Sequence, residues 1–236
     1  GRPRMIRIDA ATLPALKRQM VSLSHRVWDR GWVANHDGNL SVRLAGSRIL
    51  ATPTSFSKIE VTEADLLVLD KQGKKLEGRW KPFGEVAYHL LAYKVRDDVN
   101  AVVHCHPPTA SGFSCAGLDV ETTIIAEAVV SLGARIPTIP YALPGSEAQL
   151  DAVAAALPWY DAIVLGNHGV ITVGVDLEQA FLRMELVEHL ARIQATARQV
   201  GTLRRLPDHD VQRLLAKRQE AGLGPAARGL SGKPPL

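Results

Sequence analysis

One short stretch, Val102-Val103-His104-Cys105-His106-Pro107-Pro108, constrains the fold of this chain more than any other. Residues 101–103 are apolar and mostly β-branched, which is typical of a buried strand. Side chains two positions apart on a strand point to the same side, so His104 and His106 project together and Cys105 points away. The two prolines end the strand directly after the histidines. Such a pair of imidazoles either binds one divalent metal or consists of two packing histidines.

Composition and charge argue against several classes of protein. Two cysteines are too few for a disulfide framework or a structural zinc site of four cysteines, and they suit a reducing cytoplasm. No apolar run approaches the roughly 18 residues of a membrane span. The net charge of +4 lies in residues 204–236, so residues 1–203 are formally neutral. A nucleic-acid-binding protein carries its basic residues on the folded body, so we predict neither a nucleic-acid nor a membrane partner.

Helical and strand-like patterns alternate along the chain, which indicates an α/β domain. Apolar spacing and capping signals predict helices over residues 11–32, 85–96, 107–115, 146–157 and 176–200. Apolar, β-branched runs predict strands over residues 40–44, 48–51, 66–70, 101–104, 136–141, 161–165 and 170–173. Periodicity does not decide between helix and strand for residues 122–132. Residues 206–236 form a basic, Gly/Pro-rich tail, in which we expect a short helix and a poorly ordered end from residue 222 onward.

Two further motifs supply candidate site residues. His168 lies in Gly166-Asn167-His168-Gly169 between two predicted strands, where the glycines allow a tight turn at the end of a sheet. It is either a turn histidine or the third ligand of a three-histidine set with an open position, as in catalytic zinc sites. Glu85 follows Pro82-Phe83-Gly84 at the start of a predicted helix. It fits either a favourable contact with the helix dipole or a general base beside the metal.

Five motifs in order resemble those of the class II aldolase and adducin family: Gly38-Asn39-Leu40-Ser41, Thr52-Pro53-Thr54-Ser55, Pro82-x-x-Glu85, His104-x-His106 and Asn167-His168-Gly169. The resemblance covers about residues 11–200. It implies an α/β fold over residues 1–205, a single-domain three-layer αβα sandwich around a central mixed, largely antiparallel sheet. It also implies a homotetramer with sites near its subunit interfaces. The implied cofactor is zinc, with manganese or cobalt as alternatives, on the three ligands His104, His106 and His168.

The resemblance implies that Glu85 is the acid/base of a carbon–carbon lyase. The metal would chelate two vicinal oxygens of a ketose or ketose phosphate and stabilise an enediolate as a Lewis acid. Glu85 would move the proton between this enediolate and the position where the carbon–carbon bond forms. The phosphate pocket of the family maps onto Asn39, Thr54, Ser55, Phe83 and Gly84.

This chain departs from the family pattern in that pocket. Sugar-phosphate aldolases often carry two serines where this chain has Phe83-Gly84, so two hydroxyl donors are replaced by an aromatic wall. Lys58 either restores a charge contact or is a solvated loop residue. The interface tyrosine of the family, a proton donor, has no counterpart around residues 122–125. His89, one turn after Glu85, either supports the site or packs in the core.

The predicted function is therefore a metal-dependent aldolase that cleaves its substrate by a retro-aldol reaction. A decarboxylase, an epimerase and a sugar-phosphate dehydratase are alternatives on the same scaffold. The missing serines favour a decarboxylase or a non-phosphorylated substrate over the standard aldolase. A non-catalytic, adducin-like interaction module is a further alternative, although such a module would be expected to have lost the ligands, and all three histidines and Glu85 are present.

Overall fold

The computed structural model describes residues 12–235. Across these residues the strands are β1 (Asn39–Leu44), β2 (Arg48–Ala51), β3 (Leu67–Leu69), β4 (Lys75–Glu77), β5 (Ala101–Cys105), β6 (Thr138–Ile139), β7 (Ala162–Leu165) and β8 (Gly169–Gly174). They join in a mixed sheet with the order β4-β3-β2-β1-β5-β8-β7-β6. Neighbouring strands are antiparallel except β6 and β7, which run parallel. The predicted mixed, largely antiparallel sheet is confirmed.

The helices cover both faces of this sheet. Within the described residues they are α1 (Leu13–Asp29), α2 (Val86–Val95), α3 (Pro108–Cys115), α4 (Ala126–Leu132), α5 (Glu147–Ala156), α6 (Leu177–Val200), α7 (Asp208–Glu220) and α8 (Gly224–Ala227). Helices α1, α3, α4 and α6 bury apolar side chains such as Met20 and Phe181 on one face. Helices α2 and α5 bury Tyr88 and Val153 on the other, which confirms the three-layer sandwich. None of the helices within residues 12–235 combines the length and the hydropathy that a bilayer crossing requires.

Strand β5 lies inside the sheet, and the candidate site is built around its end. Its side chains alternate between the two faces, so Val102 points toward α2 and α5 whereas Cys105 points toward α1 and α6. In the register of the sheet, His104 lies opposite Asn39 of β1 on one side and Ile171 of β8 on the other. The register therefore places an asparagine beside the first histidine of the central motif.

Several boundaries differ from the sequence predictions for local reasons. Residue 11, the predicted first residue of α1, lies outside the described residues, and α1 ends at Asp29 because the chain turns at Gly31 with φ +68°. The undecided segment 122–132 contains α4. The strand predicted over residues 136–141 is reduced to the two-residue edge strand β6. Strand β4 is not predicted, since its three residues are all exposed and give no burial pattern.

The C-terminal segment is better anchored than the sequence predicts. Its described part contains two helices, α7 and α8, rather than one. Arg218 of α7 contacts Asp161 Oδ2 at 2.5 Å, and Arg228, which follows α8, lies 3.8 Å from Asp161 Oδ1. The prediction of a poorly ordered end is therefore wrong as far as Arg228, because a buried carboxylate holds this segment. The domain boundary between residues 205 and 206 stays a prediction.

Candidate active site

Three histidines from two segments of the chain meet where strand β5 ends and where β7 turns into β8. His104 is on β5, His106 follows this strand directly, and His168 lies in the turn between β7 and β8. Their ring centroids are 4.9 to 5.0 Å apart in all three pairs, with interplanar angles of 68° to 76°. The structure thus brings together the three residues that the sequence predicts as metal ligands, and their role as ligands stays a prediction.

The turn between β7 and β8 fits closely against the end of β5. A Cβ atom on Gly169 would come within 2.5 Å of a β5 carbonyl oxygen and of His106 Cδ2, so only glycine allows this approach. Asn167 has a left-handed backbone conformation with φ +53°, which asparagine tolerates better than most residues. Its N–H donates to Ser114 Oγ at 3.2 Å, which ties the turn to α3. These contacts fix the position of His168.

The proton positions on two of the rings leave lone pairs facing each other. His104 Nδ1 lies 3.0 Å from the Val170 carbonyl oxygen, which can only accept, so Nδ1 carries the ring proton and Nε2 a lone pair. His106 Nδ1 lies 3.4 Å from the Asp37 carboxylate, which favours the same tautomer. The two Nε2 atoms are 3.2 Å apart. Two lone pairs at this distance repel each other unless a cation lies between them, and a divalent metal fits this donor set.

Glu85, the residue before α2, completes the cluster. Its Oε1 lies 2.6 Å from His168 Nε2, and its Oε2 lies 3.3 Å from His104 Nε2. One ligand atom from each histidine and one Glu85 oxygen all lie within 4.8 Å of one another, so the four side chains could hold one metal ion. The sequence predicts a general base at this position. The structure also places the carboxylate where a fourth ligand would lie.

Burial and charge have opposite effects on the Glu85 carboxylate. Burial favours its neutral form, but the interactions with the neighbouring His104, His168 and Asn39 side chains outweigh burial and hold the pKa of Glu85 well below its usual range. Burial and the neighbouring His104 lower the pKa of His106 to about 4. At neutral pH the carboxylate is therefore ionised and His106 is unprotonated, which is the state that binds a metal.

The residues of the predicted phosphate pocket lie at different depths. Asn39 and Phe83 are buried, and Thr54 is half-buried. Ser55 and Gly84 are exposed. The Phe83 ring is packed edge-on against the His89 ring, with centroids 4.9 Å apart. Because only 6% of Phe83 is exposed, most of this ring faces the core rather than a substrate. The binding roles of these five residues stay predictions.

Lys58 is only 1% exposed, so the alternative of a solvated loop lysine is wrong. Its Nζ donates to the Phe56 carbonyl oxygen at 3.1 Å. Burial lowers the pKa of Lys58 to about 8, and the charges of Cys105, Asp37 and Glu85 act against this shift.

Sequence reasoning missed two side chains near the site, Ser41 and Tyr93, whose hydroxyl groups lie 2.6 Å apart, with Ser41 Oγ also 2.6 Å from His89 Nδ1. Ser41 is two positions after Asn39 on β1, and Tyr93 is four positions after His89 on α2. Both spacings place the later residue on the same face as the earlier one, which is a signal that the sequence contains. Asp37, which contacts a candidate ligand, lies outside any helix or strand and gives no such signal.

Comparisons with known proteins agree on one family. The profile described as "Class II Aldolase and Adducin N-terminal domain" matches residues 18–195. The L-fuculose phosphate aldolase of Methanococcus maripaludis strain C7 is 33% identical over 174 residues, which are 73% of this chain and 92% of that protein. The 3-oxo-tetronate 4-phosphate decarboxylase of Haemophilus influenzae is 34% identical over 203 residues, which are 85% of this chain and 96% of that protein.

A solved structure agrees with these relatives. The crystal structure of YgbL from Klebsiella pneumoniae has a TM-score of 0.79 to this chain at 31% identity, covering 85% of this chain and 98% of that one. This similarity confirms the predicted fold, and the aldolases among the relatives support the predicted lyase class. The resemblance carried by the five sequence motifs is thus confirmed, and the chain belongs to the class II aldolase and adducin family.

Proposed function

We propose that this chain is a zinc-dependent carbon–carbon lyase that cleaves a ketose or ketose phosphate by a retro-aldol reaction. The observation that carries the proposal is the convergence of three histidines and Glu85, with the Nε2 atoms of His104 and His106 only 3.2 Å apart. Histidine nitrogens favour zinc, with manganese or cobalt as the alternative ions. The relatives named as aldolases of L-fuculose phosphate and 5-deoxy-D-ribulose 1-phosphate support the substrate class.

Glu85 is the residue that moves the proton in this proposal. The carboxylate is ionised and lies on the side of the histidine nitrogens. In the cleavage direction the ionised carboxylate takes up the proton that the substrate hydroxyl loses as the carbon–carbon bond breaks, and it delivers this proton to the carbon next to the ketone; in the reverse direction it removes that proton. Asn39 Nδ2 donates to Glu85 Oε2 at 2.8 Å and limits the rotation of the carboxylate. When bound, the metal supplies Lewis acidity at the ketone oxygen of the substrate.

Elemental analysis and an aldehyde-release assay test this proposal together. We expect about one zinc ion per chain and release of an aldehyde from L-fuculose 1-phosphate or 5-deoxy-D-ribulose 1-phosphate. A chelator should abolish the activity, and added zinc should restore it. Full activity in metal-free protein would contradict the metal dependence. Metal-loaded protein that releases no aldehyde from either substrate would contradict the aldolase activity.

A decarboxylase is the second candidate, favoured by the 34% identity to the 3-oxo-tetronate 4-phosphate decarboxylase over 85% of this chain. Loss of carbon dioxide from an acid with a ketone at the next carbon also leaves negative charge on the ketone oxygen, which the same cation-binding site would stabilise. Release of carbon dioxide from 3-oxo-tetronate 4-phosphate should therefore be measured beside aldehyde release. Faster decarboxylation than aldol cleavage would assign the chain to this second activity.

We also propose a homotetramer, as the family resemblance implies. Tyr141 and Leu143 are 60% and 69% exposed, and two large apolar side chains so close in the chain support a subunit interface there. Sedimentation of the zinc-loaded protein as a tetramer is the expected result, and a monomer would contradict it. A reducing, cytoplasmic compartment remains part of the proposal, since Cys105 and Cys115 are both free.

A further inference from the structure

We propose that four buried polar side chains behind Glu85 form a hydrogen-bond relay of fixed direction that positions its carboxylate. The relay consists of Asn39, Ser41, His89 and Tyr93, all of which are 8% exposed or less. Its members act through Glu85 and are positioning residues. The inference rests on the proposed function in one respect, since it takes Glu85 as the acid/base of the reaction.

The direction of the relay begins at the carboxylate. Asn39 Nδ2 lies 2.8 Å from Glu85 Oε2 and donates to it. The amide oxygen Oδ1 then faces His89 Nε2 at 2.6 Å. Because an amide oxygen can only accept, the proton between these atoms belongs to His89 Nε2. The reverse orientation of the amide would bring its oxygen against the carboxylate oxygen, where two acceptors repel each other.

The tautomer of His89 determines the remaining two hydrogen bonds. A neutral ring with its proton on Nε2 accepts at Nδ1, so Ser41 Oγ, at 2.6 Å, must be the donor. The single hydroxyl proton of Ser41 is then in use, and Tyr93, whose hydroxyl lies 2.6 Å from the same Oγ, must donate to Ser41. Burial lowers the pKa of His89 to about 3, which is consistent with a neutral ring at physiological pH. Each proton in the relay therefore points toward Glu85.

The relay also links two elements of the site. Asn39 and Ser41 lie on one face of β1, the strand beside β5, whereas His89 and Tyr93 lie on one face of α2, the helix that begins after Glu85. The Phe83 ring is packed against His89. Because these groups are buried, water cannot replace a lost donor, so the loss of one hydrogen bond frees the next side chain to rotate.

The consequence for the reaction concerns the two carboxylate oxygens. Oε2 of Glu85 is held by Asn39 at 2.8 Å, which leaves Oε1 directed toward His168 at 2.6 Å. A carboxylate fixed in this way keeps one oxygen on the side of the candidate ligand His168 without a search among rotamers. One N–H group of Asn39 therefore donates to Glu85 and is not available to a substrate phosphate.

The tautomer of His89 gives a test that needs no substrate. The nitrogen-15 resonances of histidine-labelled, zinc-loaded protein should show His89 neutral, with its proton on Nε2 and an acceptor nitrogen at Nδ1. A His89→Gln variant identifies the resonances by their disappearance. A proton on Nδ1, or a doubly protonated ring, would overturn the relay. This result is independent of whether the chain cleaves a ketose.

A graded series of variants tests the effect on catalysis. Ser41→Ala removes the donor to His89, and we expect kcat to fall roughly tenfold while KM and zinc content change less than about twofold. Ser41→Cys keeps a weaker donor, so its kcat should lie between that of Ser41→Ala and that of the unchanged protein. Ser24→Ala is the matched control, since Ser24 is also fully buried and donates within α1 to the Met20 carbonyl oxygen at 2.8 Å.

The relay predicts that kcat follows donor strength at position 41, whereas a purely structural role predicts that it follows stability. Unfolding of each variant should therefore be measured beside its kinetics. Equal losses of kcat in Ser41→Ala and Ser24→Ala at equal loss of stability would overturn the proposal. A rise in KM with unchanged kcat would overturn it as well, because the network would then serve substrate binding.

Discussion

Two buried carboxylates, Glu85 and Asp161, have similar electrostatics and different partners. The pKa of each lies well below its usual range, because interactions with neighbouring side chains outweigh the effect of burial. Around Asp161 these neighbours are arginines at 2.5 to 3.8 Å, namely Arg96, Arg183, Arg218 and Arg228. Around Glu85 they are the histidines His104 and His168.

The chemistry of the partners, rather than the size of the pKa shift, separates a structural cluster from a reactive site. An arginine side chain has only donors and keeps its proton, so the arginines around Asp161 offer no atom to a metal ion and occupy the carboxylate oxygens with ion pairs. A histidine has a lone pair whenever it is neutral, and it gains or loses a proton near neutral pH. A perturbed carboxylate therefore marks a candidate catalytic site only where its neighbours can bind or transfer something.

The largest difference between the two carboxylate regions should appear when the histidine lone pairs beside Glu85 are removed. Each of His104→Ala, His106→Ala and His168→Ala should lose bound metal and reduce kcat/KM by about a thousandfold or more, since Lewis acidity contributes several kcal/mol. Elemental analysis and the aldehyde assay measure the two effects. His209→Ala, whose side chain is 75% exposed, is the control and should keep its metal. Full metal occupancy in all three variants would refute the metal site.

The next largest effect is expected at Glu85. Glu85→Gln keeps the shape of the side chain but cannot accept a proton, so kcat should fall by about a hundredfold to ten-thousandfold. Exchange of the proton next to the ketone of dihydroxyacetone phosphate, followed by NMR, isolates this step from bond cleavage. Exchange at the rate of the unchanged protein would show that Glu85 is only a charge at a helix terminus.

Removal of the other carboxylate should affect stability rather than chemistry. Asp161→Asn leaves four arginines without their shared counter-charge, and the free energy of unfolding should fall by about 3 kcal/mol. Denaturant titration measures this change. Asp210→Asn on the exposed side of α7 is the matched control, with an expected change below about 0.5 kcal/mol. Loss of metal from Asp161→Asn at a concentration of denaturant where it remains folded would contradict the separation of the two regions.

Lys58 offers a pH test of a buried charge that has no ion-pair partner within 4 Å among the described residues. Its pKa is lowered from 10.5 to about 8, so between these pH values the unfolded chain binds more protons than the folded one. Stability should therefore rise with pH across this window. Relative to Lys58→Met, the unchanged protein should gain about 1–3 kcal/mol of unfolding free energy between pH 8 and pH 10.5. Parallel stability curves for the two proteins would contradict the shift.

The sequence predicts the histidine site better than the arginine cluster. The histidine site follows from local patterns, whereas the arginine cluster joins residues that are far apart in the chain. His104 and His106 follow from the period of one strand, and the glycines around His168 indicate a turn at the end of another. The family resemblance then relates these segments to one another. The Asp161 cluster instead joins Arg96, Arg218 and Arg228 from distant segments, and no local pattern pairs an arginine with a particular aspartate.

The relay is intermediate between the histidine site and the arginine cluster in how far the sequence predicts it. Its spacings on β1 and α2 are readable in the sequence, whereas the contact between the strand and the helix is not, since Ser41 and Tyr93 are 52 positions apart. The depth of Phe83 also depends on tertiary packing. A phenylalanine in a polar loop predicts an exposed aromatic wall of the pocket. The Phe83 ring instead packs against His89, because helix α2 directs the His89 side chain toward Asn39 of β1.

The smallest expected effect concerns the phosphate pocket, and the depth of Phe83 determines how to test it. Replacing this buried ring by serine would leave a cavity and cost about 3–5 kcal/mol, which would obscure any change in specificity. Gly84 is exposed, its φ lies outside the left-handed region, and a Cβ atom there would meet no atom within 4 Å. Gly84→Ser therefore adds one hydroxyl donor to the loop without a steric penalty.

One added hydrogen bond to a phosphate contributes about 1.5 kcal/mol, so Gly84→Ser should raise the ratio of kcat/KM for a phosphorylated over a non-phosphorylated ketose by about tenfold. Gly84→Ala is the matched control, because it adds the same Cβ atom without the hydroxyl. The two ketoses must have the same stereochemistry, and aldehyde release measures both. An equal shift in Gly84→Ala would assign the effect to the backbone. An unchanged ratio in Gly84→Ser would show that another group binds the anion, and the buried amine of Lys58 is the candidate to test next.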